Sequence, residues 1–182
     1  MPLMRNAGNV YLVGMMGAGK TTVGRLLARR LKLRFIDCDQ ELERRCGVKI
    51  PLIFEIEGEP GFRARESQVL AELAALDGVV LGTGGGVVLS EENRRRLAER
   101  GTVVYLRATP EDLHERVRHD RNRPLLAGGD GDALARLREL HAQRDALYRA
   151  TADIVVDTGK QTVLALTREL IDKLGERWKA SA

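Results

Sequence analysis

Residues 13–24 read VGMMGAGKTTVG, and within them Gly14, Gly19, Lys20 and Thr21 stand at the spacing G-x-x-x-x-G-K-[ST]. These residue types at this spacing do phosphate chemistry. Glycines let backbone N–H groups turn inward around phosphate oxygens, and a following helix adds the positive end of its dipole. Lys20 can reach the β and γ oxygens as a compact cation, and the Thr21 hydroxyl can complete a magnesium shell. An apolar run precedes the loop and an amphipathic stretch follows it, the strand–loop–helix context the motif needs. Nucleotide binding follows, but the fate of the phosphate does not, because switch GTPases, motor ATPases, nucleotide kinases and small-molecule kinases all carry such a loop.

Candidates for an acceptor site lie downstream. In RFIDCD (34–39), Asp37 and Asp39 stand two apart at the carboxyl end of an apolar run, where open α/β sheets place ligands. If strand geometry persists, both carboxylates share a face. One can then serve a magnesium ion while the other orients an acceptor hydroxyl for in-line attack; capping of the next helix is the alternative for Asp39. In GEPGFRARE (58–66), Arg63 and Glu66 are one helical turn apart. The arginine can clamp a substrate carboxylate while Phe54 and Phe62 wall an apolar ring, although the same residues also describe a surface ion pair over core aromatics. TGGG (83–86) lets backbone approach a ligand closely, or simply turns the chain.

The elements that must position these groups are legible as alternation. Apolar runs predict strands over 9–14, 34–39, 78–86, 102–108 and 152–158, and helical periodicity fills the intervals over 20–32, 40–47, 51–76, 91–100, from Pro110, over 133–150 and at the end of the chain. Five buried strands alternating with helices predict a parallel sheet covered on both faces. RHDRNRPLLAGGDGD (118–132) is rich in Gly, Asp and Arg and falls between two helical patterns, as a mobile lid or a surface loop would.

With 182 residues the chain suits one domain able to bury a continuous core. No apolar run approaches the ~20 residues of a membrane span, and the N-terminus lacks an apolar signal core, so a cytoplasmic protein with no membrane partner is expected. Cys38 and Cys46 suit reduced thiols rather than a zinc site or disulfide framework. Arginine supplies 24 of the 30 basic residues, which favours bidentate anion recognition. Aromatics are 4% of the chain, too few for the stacking surface of a nucleic-acid binder, so small anionic ligands fit better than a polynucleotide.

Taken in order, GMMGAGKTTVGRLLA, FIDCDQELE, IFEIEGEPGFRARE, GTGGG, NRPLL and RDALYRATADIVVDT resemble the bacterial shikimate kinases over essentially the whole chain. The resemblance implies an α/β fold of three layers, αβα, a P-loop kinase with a five-stranded parallel sheet in order 2-3-1-4-5. It implies a single domain over 1–182, a shikimate-binding segment near 39–66 and a mobile lid near 118–132. The implied reaction is transfer of the γ-phosphoryl of ATP to the 3-hydroxyl of shikimate on the route to chorismate and the aromatic amino acids. The family pattern gives Gly17, Ala18, Gly19, Lys20, Thr21 and Thr22 to the ATP phosphates. Arg123 of NRPLL joins them on lid closure, Arg116 stacks on adenine, and Gln161 contacts it. Magnesium falls to Thr21 and Asp37. Shikimate falls to Asp39, Arg63, Gly85 and Arg144, supported by Glu66, Phe54, Phe62, Gly84 and Gly86, with Lys20, Asp39 and Arg123 as the catalytic set. The implied partners are shikimate and ATP, and a monomer is expected. Many relatives read PLY where this chain has Ala146, Leu147 and Tyr148. Another small-molecule kinase, such as a gluconate kinase, and a non-catalytic nucleotide-binding module are the competing readings.

Overall fold

Strands that are apolar throughout must bury both faces, and the central ones do: Val10, Leu12, Val80, Leu81, Val103, Val104 and Leu106 are fully buried. The computed structural model describes residues 8–118 and 130–181. Its strands β1 (Asn9–Val13), β2 (Arg34–Asp37), β3 (Val79–Gly82), β4 (Gly101–Arg107) and β5 (Ile154–Asp157) form one parallel sheet in the order β2-β3-β1-β4-β5, the order expected. The helices are α1 (Lys20–Leu31), α2 (Cys38–Cys46), α3 (Ile50–Ala74), α4 (Glu91–Arg100), α5 (Pro110–Val117), α6 (Asp130–Thr151) and α7 (Val163–Ala180).

This order decides where a ligand can sit. Crossovers between parallel strands are right-handed. The step from β1 to β2 runs one way along the sheet and every later step runs the other way, so α1 lies on one face and α2 to α6 on the opposite face. The packing agrees: α1 lies against α7, whereas α3 lies against α4 and α4 against α6. The chain therefore leaves the neighbouring strands β1 and β3 toward opposite faces, which opens a crevice at their carboxyl ends. The phosphate-binding loop leaves β1 and the glycine run leaves β3, so the two face each other across that crevice.

Local chemistry sets the element ends. Asp37, Ser90, Thr109 and Thr162 cap α2, α4, α5 and α7, each side chain accepting the amide three residues on. Three predicted strands are shorter than expected by two residues or more, among them β5, which covers only Ile154–Asp157. β2 stops at Asp37 because that residue caps α2, and β3 stops at Gly82 because the chain turns, Val87 N–H donating to Gly84 O at 3.1 Å. The stretch read as one helix over 51–76 is broken at Gly58 (φ 71°, ψ −179°), just ahead of Pro60. Proline has no N–H to donate and its ring crowds the preceding turn, while glycine takes the positive φ that kinks the helix there. The two arms of Arg65 grip Glu57 across this kink at 2.6 and 2.7 Å. Cys38 is buried and Cys46 half-buried, both as free thiols. Among the described residues no helix is long and apolar enough to cross a membrane.

Candidate active site

The loop between β1 and α1 enters the helix through Gly19, whose φ of 96° is in the left-handed region. Unlike the four capped helices, α1 has neither a side-chain cap nor an acidic residue in its first turn. Its N-terminal amides and dipole are thus left to an anion. Lys20, the first residue of α1, folds its ammonium back onto the loop and donates to Gly14 O at 2.5 Å and Met15 O at 2.9 Å. The next residue points across the crevice, the Thr21 hydroxyl donating to Asp37 Oδ2 at 2.8 Å.

A cleft of about 420 Å³ is lined by Gly17, Gly19, Lys20, Thr21 and Thr22 on one side and by Asp37, Asp39 and Gly85 on the other. Ala18 lies outside this lining; it is buried, and its amide closes a turn on Met15 O at 3.1 Å. Asp37 and Asp39 both reach the cleft, but not as alternate residues of one strand. Asp37 is the capping residue, its Oδ1 accepting from Gln40 N–H at 3.0 Å, and Asp39 sits in the first turn of α2. The capping role considered for Asp39 therefore belongs to Asp37. The reason is backbone: a cap needs extended φ/ψ, which Asp37 has at −88° and 118°. Gln40, Glu43 and Ile50 also line the cleft, and Glu43 Oε2 accepts from Ile50 N–H at 3.0 Å, capping α3 from another helix. Seven positions separate those two residues, so no local pattern announces the bond.

The acceptor side is organised by what the three glycines of 84–86 lack. A Cβ on Gly84 would lie 2.5 Å from Glu66 Oε2 and 3.0 Å from Asp39 Oδ1; one on Gly85 would lie 3.3 Å from an Arg144 nitrogen; one on Gly86 would run into the Arg63 guanidinium. Each missing side chain is space filled by a different charged group. Arg63 donates to Glu66 Oε1 at 2.9 Å, pairs with Glu59 at 3.1 Å, and lies 5.1 Å over the Phe62 ring. Glu66 is buried, and burial, with the Asp39 charge added, pushes its carboxyl up against the opposing pull of Arg63. Arg144 on α6 is 2% exposed. Its Nε and Glu66 Oε2 are buried with no hydrogen-bond partner among the described residues, a donor and an acceptor that a polar ligand would satisfy.

Not every expected residue lines the same space. Arg63, Glu66 and Gly86 line a neighbouring recess of about 430 Å³ with Ser67 and Asn93. Phe54 and Phe62 stack on each other at 4.8 Å and line neither cavity, Phe62 being buried in the core. Arg116 is brought to the phosphate loop, donating to Gly17 O at 3.0 Å and to the Thr158 hydroxyl at 3.3 Å. Gln161 follows in the same β5–α7 loop, but its amide is engaged with Glu169 at 2.7 Å. Arg123 and most of the segment 118–132 lie outside the described residues. Among the described residues no cluster of three His, Cys, Asp or Glu side chains could hold a metal. Thr21 and Asp37 instead offer a hydroxyl and one carboxylate, the kind of set that suits magnesium shared with phosphate oxygens and water.

Residues 16–175 match the family described as shikimate kinase. The chain is 60% identical to the shikimate kinase of Thiobacillus denitrificans over 171 residues, covering 94% of this chain and 92% of that one. With the shikimate kinase of Ralstonia nicotianae it is 59% identical over 169 residues, 93% and 88% of the two chains. Among solved structures, the shikimate kinase from Acinetobacter baumannii in complex with shikimate superposes with a TM-score of 0.91 at 44% identity, over 94% of this chain and 95% of that one. A gluconokinase from Sinorhizobium meliloti, with a TM-score of 0.61 at 18% identity over 97% and 96%, shares the fold alone. The match runs from the phosphate-binding loop into α7 and takes in both walls of the cleft, so the chain belongs to the shikimate kinase family.

Proposed function

We propose that this protein transfers the γ-phosphoryl of ATP to the 3-hydroxyl of shikimate, giving shikimate 3-phosphate and ADP, with the following division of labour. The amides of the phosphate-binding loop and α1 hold the ATP phosphates, and Lys20 turns from the loop carbonyls to the transferring group. Thr21 and Asp37 would hold a magnesium ion, which supplies charge neutralisation between phosphate oxygens. Asp39 accepts a hydrogen bond from the attacking hydroxyl, orients it in line and takes its proton as the bond to phosphorus forms. Arg144 and Arg63 face the substrate carboxylate, Glu66 keeping Arg63 in place. Arg116 borders the nucleotide from the α5 side, and Arg123 is assigned to the ATP phosphates by the family pattern. A monomer is proposed as the working unit.

The observation that carries this reading is the run 84–86. It gathers two carboxylate oxygens and two guanidinium groups within contact of three successive glycines, and a Cβ on Gly85 would stand 3.5 Å from Met16 N of the phosphate-binding loop. An acidic polyol set there has its hydroxyls beside the donor phosphate. A coupled ADP-release assay with shikimate, quinate and gluconate tests it. Shikimate is expected to be turned over fastest. Faster turnover of gluconate would overturn the acceptor, and ATP binding without shikimate-dependent ADP release would favour a binding module.

Arg63→Ala is expected to raise the shikimate KM roughly ten- to a hundredfold, the worth of a charged hydrogen bond, with kcat and ATP KM changing less. It also leaves the buried Glu66 carboxylate without its cation, so its folded-state pKa climbs further above the unfolded value. The folded state then binds more protons than the unfolded one in that window, and stability falls as pH rises through it. Thermal melts of the variant at pH 5 and pH 8 should accordingly differ from wild type more at pH 8. A change confined to ATP KM would mean that Arg63 has been misplaced.

A further inference from the structure

Three glycines in a row make a floppy floor for a site unless something fixes their backbone. Two of the three carbonyls in 84–86 are tied locally: Gly84 O accepts from Val87 N–H and Gly86 O from Leu89 N–H, both at 3.1 Å. The carbonyl of Gly85 is tied differently, by the hydroxyl of Tyr148 on α6, 63 positions away in sequence. Tyr148 is fully buried. Its ring stacks on Tyr105 of β4 at 4.9 Å, which fixes the direction of its hydroxyl. It also stands one helical turn beyond Arg144, on the same face of α6, and a Cβ on Gly85 would be 3.3 Å from Arg144.

We propose that Tyr148 is a positioning residue of the acceptor site: by holding the Gly85 carbonyl it locks the glycine run to the helix that carries Arg144, fixing the distance between substrate floor and carboxylate clamp. This rests on the reading of the site as the shikimate pocket. Burial pushes the Tyr148 hydroxyl up to about 12, so it remains a donor throughout the range in which the enzyme would work. Tyr105 makes a useful contrast. Its hydroxyl also donates from the interior to α6, at 2.8 Å to Asp145, but Asp145 keeps a second partner in Arg149 at 2.8 Å, and nothing in that pair touches the glycine run.

The experiment compares Y148F and Y105F in steady-state assays against both substrates, with thermal melts. Y148F removes the bond to Gly85 O and the hydroxyl's hydrogen bond with Arg144, whereas Y105F removes the bond to Asp145; both keep the ring, so both are expected to fold with a modest drop in Tm. Y148F should raise the shikimate KM about five- to tenfold, the worth of one hydrogen bond, with ATP KM and kcat within about twofold of wild type. Y105F should leave the shikimate KM unchanged. Because KM does not depend on how much of a sample is folded, partial unfolding cannot imitate this split. An unchanged shikimate KM in Y148F, an equal rise in Y105F, or a parallel rise for both substrates would overturn the proposal. Wild-type enzyme inert toward shikimate would instead overturn the substrate assignment.

Discussion

Lys20→Ala is expected to lower kcat by about a hundred- to a thousandfold, the range for losing one donor to charge that develops in a transition state. The loss should fall on kcat more than on ATP KM. Loop amides and the open N-terminus of α1 still hold the phosphates in the ground state, whereas the ammonium is the movable charge that can follow the γ-phosphoryl as it transfers. Stability should fall modestly, by about 1–3 kcal/mol: alanine is at least as good a helix former at the start of α1, but Gly14 and Met15, whose carbonyls the ammonium caps, are buried and lose a donor. Single-turnover ADP release at saturating ATP measures the effect directly, and a kcat within about threefold of wild type would remove Lys20 from the chemistry.

The phosphate grip was legible in the chain because its geometry is local: Gly14 to Thr21 fold into the loop wherever a strand precedes and a helix follows. The Arg63–Glu66 pair was legible for the same reason, since one helical turn brings the two together. What could not be read was where strands give way to helices to within a residue or two. Asp37 and Asp39 reach the same cleft, yet by a capping carboxylate and a first-turn carboxylate rather than as two residues of one strand face. The break in α3 had its signal in Gly58 and Pro60, but helical periodicity on both sides of them reads straight through. Least visible was the matching of Gly84, Gly85 and Gly86 to Asp39 with Glu66, to Arg144 and to Arg63. It arises where α2, α3 and α6 meet the end of β3, and only the topology of the sheet brings those helices to one point. The same long-range packing hides Tyr148, which in the sequence is one more apolar-facing residue of a helix.

Asp39→Asn is expected to lower kcat by roughly a hundred- to ten-thousandfold, the usual span for removing a general base. Asparagine keeps the shape and hydrogen-bonding reach of the side chain but has no charge and cannot take the hydroxyl proton. Asp39 is the carboxylate suited to that task by its surroundings. Glu66, the other one beside Gly84, is buried, gripped by Arg63 and pushed toward its neutral form, whereas Asp39 is half-buried in the wall of the cleft. It stands in the first turn of α2, at the positive end of that helix, where an acidic side chain adds to stability. Losing that contact should lower stability by only about 0.3–1 kcal/mol, so a large fall in kcat with a small shift in Tm separates the chemical role from a structural one. The shikimate KM should rise far less than kcat falls, because the amide still meets the substrate hydroxyl in the ground state while only the carboxylate stabilises it as it loses its proton. A variant with normal kcat and a raised shikimate KM would reduce Asp39 to a binding contact and leave proton removal to the phosphate itself.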